Sequence, residues 1–214
     1  IARNPPAPMQ NKHLWKPSKF VLTPSGWKAS RNPKELNRGT RFTADMLARV
    51  YEGAIQRHAS GMLLDLGCGK VPLYQIYRDY VSDNICVDWE STSHKSPFLD
   101  HSFDLNHGIS LPSETFDTIL ATDVLEHVCN PDLLWREMAR VLKPGGKIIL
   151  GVPFLYWIHE EPHDYYRFTQ YKLQMFCEQN GLAVVSLEPY GGAPEVIGDV
   201  IAKTTLSSVS VAVP

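Results

Sequence analysis

Three acids and two glycines in this chain are spaced to hold a nucleoside that also carries a positive charge. Asp65 stands two residues before Gly67 in the run Met62-Leu63-Leu64-Asp65-Leu66-Gly67-Cys68-Gly69. A carboxylate there reaches a ligand ammonium directly or through a water. Gly67 and Gly69 supply a sharp turn with two positions free of Cβ, so a ligand can lie against the backbone. Asp88 closes a short apolar run 21 residues after Gly67, where an acid binds ribose hydroxyls. Asp104 follows Phe103 shortly before the next apolar run, in place to accept from an adenine amino group. A dinucleotide fingerprint wants Gly or Ala at position 72, and this chain has Pro72. S-adenosylmethionine (SAM) fits the set better than a dinucleotide, whose pyrophosphate needs the helix N-terminus.

A second group of reactive side chains comes much later. His159-Glu160-Glu161-Pro162-His163 formally matches HExxH, but that zinc motif needs both histidines on one face of a continuous helix. Pro162 lacks the backbone donor and clashes with the preceding turn, at about 3 kcal/mol or more. No third ligand follows at a convincing spacing, so no metal is expected. The segment Tyr156–Thr169 instead reads as a loop with candidate bases, aromatic walls and a fixed cation. His163 is the first candidate for a base and His159 the second, since histidine takes up a proton near neutral pH. Arg167 could anchor a phosphate or carboxylate of a substrate, with Tyr166 beside it. The alternative is that His163, Asp164 and Arg167 brace the loop through mutual hydrogen bonds.

The elements that must position these groups alternate. Apolar residues at Met46, Leu47, Val50, Tyr51, Ala54 and Ile55 give one face of a helix over Thr43–His58, with Thr43 as N-cap. Met62–Leu66 reads as a buried strand, Pro72–Tyr80 as a helix and Asn84–Asp88 as the second strand. The polar stretch Glu90–Asn106 leaves the next crossover short, with Phe103–Leu105 as a brief third strand. Phe116–Ala121 is the next strand. Asn130 and Pro131 start a helix that Lys143-Pro144-Gly145-Gly146 stops, and Lys147–Val152 follows as a strand. Thr169 caps a helix closed by Gly181, and Leu182–Leu187 reads as a strand. The tail from Pro194 begins as a helix and ends as a β-prone run. Strands alternating with helices through short links imply a mostly parallel sheet covered on both faces.

Residues 1–41 carry many prolines together with Trp15, Phe20 and Trp27. They read as an arm packed over the domain formed by residues 42–214, or as a lid over its ligand. At 214 residues one α/β domain is the natural size. A net charge of -2 argues against a nucleic-acid backbone as partner. Four scattered cysteines without a CxxC spacing read as free thiols in a reducing compartment, taken as the cytoplasm. No apolar run reaches the roughly 18–20 residues of a membrane span. A small-molecule acceptor is the expected partner, and a homodimer is allowed.

Leu63-Leu64-Asp65-Leu66-Gly67-Cys68-Gly69, Phe116-Asp117-Thr118-Ile119-Leu120, Asp123-Val124-Leu125-Glu126-His127-Val128 and Arg140-Val141-Leu142-Lys143-Pro144-Gly145-Gly146 occur in that order. In order and spacing they resemble the class I SAM-dependent methyltransferases, more narrowly the large bacterial group acting on small molecules and in glycan pathways (methyltransferase type 11-like). The resemblance implies a Rossmann-like, doubly wound, seven-stranded sheet with the last strand antiparallel. It implies SAM lying on Asp65, Gly67 and Gly69, its ribose on Asp88 with Trp89 beside the adenine. Asp104 and Leu105 would bind the adenine, and Thr122 and Asp123 would face the methionine end. The family usually has a third glycine where Val71 stands. The expected reaction is methyl transfer to oxygen or nitrogen of a small molecule, such as a sugar or glycan precursor. A non-catalytic SAM-fold binding or scaffold subunit is the alternative, and an NAD-dependent oxidoreductase is disfavoured by Pro72.

Overall fold

The computed structural model describes residues 9–90 and 96–206. Its centre is a parallel sheet of five strands in the order β5-β4-β3-β6-β7. The strands are β3 (Met62–Leu66), β4 (Asp83–Asp88), β5 (His101–Ser102), β6 (Phe116–Thr122) and β7 (Leu142–Gly151). The chain leaves β3 to one side for β4 and returns to the other side for β6. The strand order therefore reverses at β3, and the crevice outside the carboxyl ends of β3 and β6 is where such folds bind ligands. Two further strands, β1 (Phe20–Thr23) and β2 (Gly26–Ala29), pair antiparallel as a separate hairpin. The seven strands are thus divided between a parallel sheet and a hairpin.

Alternation along β3 sends side chains to two cores. Leu63 joins the cluster that holds Phe20, Trp27, Tyr51, Ile55 and Tyr77. Leu64 and Leu66 join the one that holds Ile119, Trp135, Met138 and Phe176. The first face is covered by α1 (Arg41–His58) and the short α2 (Tyr74–Tyr77), the second by α3 (Pro131–Val141) and α4 (Gln170–Gln179). Helix α1 starts two residues before Thr43, whose hydroxyl instead donates to Asp199 Oδ1 in α5 (Ala193–Leu206). Its buried residues are Ala44, Leu47, Ala48, Tyr51 and Ile55, while Val50 faces solvent.

The caps read from sequence are in place at α3 and α4. Asn130 accepts from Leu133 N, Pro131 opens α3, and Thr169 accepts from Lys172 N. Lys143-Pro144-Gly145-Gly146 bulges within β7, where the register to β6 shifts. Asp117 Oδ2 clamps this corner by accepting from Lys143 Nζ and Met62 N. Three elements differ from expectation. The strand next to β4 lies at His101–Ser102, because Asp104 caps a turn of 3-10 helix over Leu105–His107. The helix after the glycine turn is only one turn long. Leu182–Leu187 is not a strand: it has β-prone residues but no strand beside it, and β7 pairs only with β6 among the described residues. The β-prone end of the tail lies outside the described residues. No helix among the described residues is long and apolar enough to cross a membrane.

Candidate functional site

The two glycines of the turn are constrained differently, Gly67 by a close neighbour and Gly69 by its backbone alone. Gly67 has φ +64°, and a Cβ there would stand 2.4 Å from Val124 Cγ2. Gly69 has φ +49° with nothing within 4 Å of its Cβ position, so its outer face is open to a ligand. Its N–H donates to Asp88 Oδ2 (2.8 Å), and Trp89 N donates to Asp88 Oδ1 (2.7 Å). Val71, where the resembling family has glycine, takes φ +51°. That is costly for a β-branched residue, and its surroundings hold it there. Val71 is fully buried, its N–H donates to Cys68 O (2.7 Å), and Trp15 Nε1 donates to its carbonyl (3.0 Å).

Asp65 lies beneath this turn, buried, with the Tyr77 hydroxyl 3.2 Å from Oδ2. Burial first of all pushes its carboxyl up to about 7; Tyr77 opposes the shift and Asp88 adds to it. An ammonium brought to this carboxylate would restore its charge. Thr122 ends β6, and Asp123 leaves it at φ +56° with its N–H on Gly151 O (2.9 Å). Lys19, just before β1, reaches Asp123 Oδ2 at 3.2 Å. On the far side of β4, Asp104 accepts from Asn106 N and Nδ2 (2.9 and 2.8 Å), and Leu105 is buried. The Asp104 carboxylate therefore serves as a turn former.

Beyond Asp123 the backbone makes one turn of 3-10 helix over Leu125–His127. Glu126 is fully buried there, and neither carboxylate oxygen has a hydrogen-bond partner. Burial, and then Asp123, pushes its carboxyl up to about 8. His127 and His159 meet over it with Nε2 atoms 3.2 Å apart. The loop carrying His159 is braced by Asp164. Its Oδ1 and Oδ2 take Arg167 Nη1 and Nη2 (2.5 and 2.8 Å), and Oδ2 also accepts from His159 N (3.0 Å). The Arg167 fork, first among several influences, holds the Asp164 carboxyl far below the usual carboxylate range. Arg167 also donates to the carbonyls of Tyr166 and Trp157, so its fork is turned into the loop.

His159 and His163 do not form a helical pair, since no helix lies between Ile158 and Thr169. The His163 ring stands edge-on to Trp89, centroids 5.0 Å apart, and Nδ1 is 3.1 Å from the Tyr165 hydroxyl. Tyr166 donates its hydroxyl to Cys129 O. The structure thus brings His159 to Glu126 and His127, and His163 to the Trp89 side. Glu126 was the residue not singled out from sequence. Its signal was an acid next to His127 among the apolar Val124, Leu125 and Val128.

A cleft of about 1550 Å³ runs from this cluster along the open edge of β7. Asp123, Glu126, His127 and His159 line it, with Tyr51, Val152, Phe154 and Tyr156. The glycine turn does not line it, so cradle and cleft meet across Gly67 and Val124.

Residues 64–150 match the family model described as "Methyltransferase domain". The chain carries a class I S-adenosylmethionine-dependent methyltransferase domain. Among curated proteins it is similar to the ubiquinone biosynthesis O-methyltransferase of Bartonella tribocorum. The two are 26% identical over 149 residues, which is 58% of this chain and 60% of that protein. It is 31% identical over 159 residues to the mitochondrial ubiquinone biosynthesis O-methyltransferase of Rattus norvegicus, covering 58% of this chain and 45% of that protein. The chain therefore spans about half of the length of these relatives. Among solved structures, the [4+2]-cyclase SpnF superposes with a TM-score of 0.56 at 19% identity, covering 75% of this chain and 68% of that one. That likeness concerns the methyltransferase fold alone.

Proposed function

We propose that this methyltransferase domain transfers a methyl group from SAM to a hydroxyl oxygen of a small acceptor seated at Glu126, His127 and His159. The observation that carries the reading is the close approach of Gly67 to Val124. It sets the cofactor turn against the segment that presents the buried Glu126, so donor and acceptor sites share a wall. The residues present fit the cofactor. Gly69 leaves open space where a side chain would stand, and Asp65 is a buried carboxyl lacking a cation.

When bound, SAM supplies a methyl group on a positively charged sulfur. Asp65 would take the ammonium and Asp88 the ribose hydroxyls, since carboxylate oxygens accept more than one bond. Trp89 would flank the adenine near Asp104 and Leu105, and Thr122 and Asp123 would border the methionine end. Lys19 holds Asp123 from the N-terminal side, so we read the arm as part of the site's wall. In-line transfer requires the acceptor oxygen aligned behind the methyl carbon and its proton removed. His159 and His127 stand by Asp123, where that oxygen would lie, whereas His163 stands by Trp89. We therefore place activation of the acceptor hydroxyl at the His159–His127 cluster.

The acceptor is a proposal of its own. Tyr51, Val152, Phe154 and Tyr156 along the cleft favour a flat, apolar body bearing a hydroxyl, as do relatives named for ubiquinone O-methylation. A sugar or glycan precursor would draw instead on the polar residues of the cleft, such as Lys19, Thr43 and Gln170. Free cysteines among the described residues favour a reducing compartment such as the cytoplasm. Calorimetric titration of S-adenosylhomocysteine tests the cofactor claim. Binding should be lost in Asp88→Ala; no binding by the unaltered protein would refute the reading. Methyl transfer to a panel of catechols and of sugars then separates the two acceptor classes.

A further inference from the structure

The tautomers of His127 and His159 are fixed by what their outer nitrogens touch. His127 Nδ1 lies 2.8 Å from the His163 carbonyl oxygen. A carbonyl only accepts, so Nδ1 carries the hydrogen and Nε2 of the neutral ring carries a lone pair. His159 Nδ1 lies 3.1 Å from Trp157 O and 3.2 Å from Asp164 Oδ2. Both are acceptors, because the Arg167 fork keeps Asp164 a carboxylate, so His159 Nε2 carries a lone pair too. The two Nε2 atoms, each bearing a lone pair, lie 3.2 Å apart. Glu126 Oε1 stands 3.8 Å from each Nε2, and no donor reaches either Glu126 oxygen.

Two imidazole lone pairs and a carboxyl oxygen, which becomes a full donor when its charge is restored, thus meet at one place. We propose that Glu126, His127 and His159 hold a divalent transition-metal cation. The triangle of 3.2, 3.8 and 3.8 Å has a circumradius of about 2.1 Å, the length of a zinc–nitrogen or zinc–oxygen bond. A cation at or just off the centre is within bonding reach of all three atoms without rearrangement. The outer nitrogens already have the partners that orient metal-binding imidazoles, a carbonyl for His127 and a carbonyl with a carboxylate for His159. Two imidazoles and one carboxylate suit zinc, manganese, iron or cobalt better than magnesium or calcium, which prefer all-oxygen sites. A proton shared by the two Nε2 atoms is the competing occupant. It would satisfy the histidines but leave both buried Glu126 oxygens without a donor, at a cost of about 1–3 kcal/mol or more. A cation satisfies all three residues.

The site's role rests on the function proposed above. Its open coordination positions face the cleft, where the acceptor hydroxyl would bind and become more acidic. The hydroxyl proton passes to solvent water, the oxygen forms the bond to the methyl carbon, and the pair from the broken carbon–sulfur bond stays on sulfur. HExxH thus contributes one ligand rather than two. His159 is used, His163 is not, and the other ligands come from Glu126-His127.

The test reads metal binding independently of turnover. Chelator-treated protein is titrated with Co²⁺ and followed by its visible absorption, with Zn²⁺ competition and S-adenosylhomocysteine calorimetry on the same sample. One Co²⁺ should bind per chain and be displaced by Zn²⁺. Glu126→Gln and His159→Ala should each weaken binding by more than ~100-fold, beyond the effect of losing an outer partner. His163→Ala, which keeps the backbone carbonyl, should bind Co²⁺ as before. Intact S-adenosylhomocysteine binding without stoichiometric Co²⁺ or Zn²⁺ overturns the metal site and leaves the methyltransferase reading standing. Metal binding unchanged in Glu126→Gln and His159→Ala overturns the ligand assignment. Loss of S-adenosylhomocysteine binding in the unaltered protein counts against the function instead.

Discussion

The imidazole of His163 meets the indole of Trp89 edge-on, with ring centroids 5.0 Å apart. This contact ties the Tyr156–Thr169 loop to the end of β4, and so ties the proposed acceptor side to the proposed adenine side. An edge-to-face pair of this kind contributes about 0.5–1.5 kcal/mol beyond area burial. Trp89→Ala removes this contact and the wall proposed to flank the adenine. It should weaken S-adenosylhomocysteine by roughly tenfold, corresponding to about 1.4 kcal/mol. His163→Ala should cost less and should change the tryptophan fluorescence response to the ligand. An unchanged response in His163→Ala would separate loop from cradle.

Asp65 makes the ligand-free protein sensitive to pH. Its folded carboxyl titrates at about 7, above the unfolded value of ~3.9. The folded state therefore holds a proton that the unfolded chain has released. Stability from this group is complete below pH ~4 and is lost as pH rises through ~7, by up to about 4 kcal/mol. Glu126, raised to about 8, acts with the same sign. Denaturant unfolding of chelator-treated protein should show lower stability at pH 8 than at pH 5. Asp65→Asn should reduce that difference without abolishing it. A ligand ammonium reverses the Asp65 contribution, so S-adenosylhomocysteine should bind more tightly at pH 8 than at pH 5.

The strands around the turn were legible because their signals are local. Met62–Leu66 is apolar along its length apart from Asp65, and Asn130-Pro131 and Thr169 start helices by bonds within three residues. Val71 illustrates what local reading misses. Its side chain argues against the left-handed backbone it adopts, and the forces holding it there come from Cys68 and from Trp15, distant in sequence. Leu182–Leu187 fails as a strand for the converse reason, having β propensity without a neighbouring strand. The Glu126–His127–His159 cluster joins residues 32 positions apart through a loop whose shape depends on the Asp164–Arg167 pair. HExxH suggested a pairing within the loop, whereas the partners lie across the site.

Gly67 and Gly69 should separate folding from binding. Alanine at Gly67 meets Val124 at 2.4 Å and must also hold φ +64°. Alanine at Gly69 meets nothing and carries only the left-handed cost of about 1–2 kcal/mol. Gly67→Ala should therefore lose more stability in thermal unfolding, and Val124→Ala should recover part of that loss in the double variant. Gly69→Ala should remain folded but bind S-adenosylhomocysteine weakly, because its new methyl group occupies the open face of the turn. Equal melting shifts in the two single variants would contradict the packing described.

The Asp164–Arg167 pair predicts how the loop responds when one partner is removed. The Asp164 side chain is 2% exposed, and its charge is matched by the Arg167 fork. Arg167→Ala leaves that carboxylate uncompensated and frees the carbonyls of Tyr156 and Trp157, at a cost of about 1–3 kcal/mol for a partly buried charge-assisted pair. Asp164→Asn in the same chain removes the stranded charge, so the double variant should be more stable than Arg167→Ala alone. Arg167→Lys keeps the charge but cannot form the two-pronged contact, and should fall between Arg167→Ala and the unaltered protein. Hydrogen exchange over Tyr156–Thr169 reads the loop directly, and S-adenosylhomocysteine affinity reads the cradle. Faster exchange with little change in affinity identifies Arg167 as the brace of the acceptor loop. An acceptor-binding role would instead raise KM while leaving exchange in the loop unaltered.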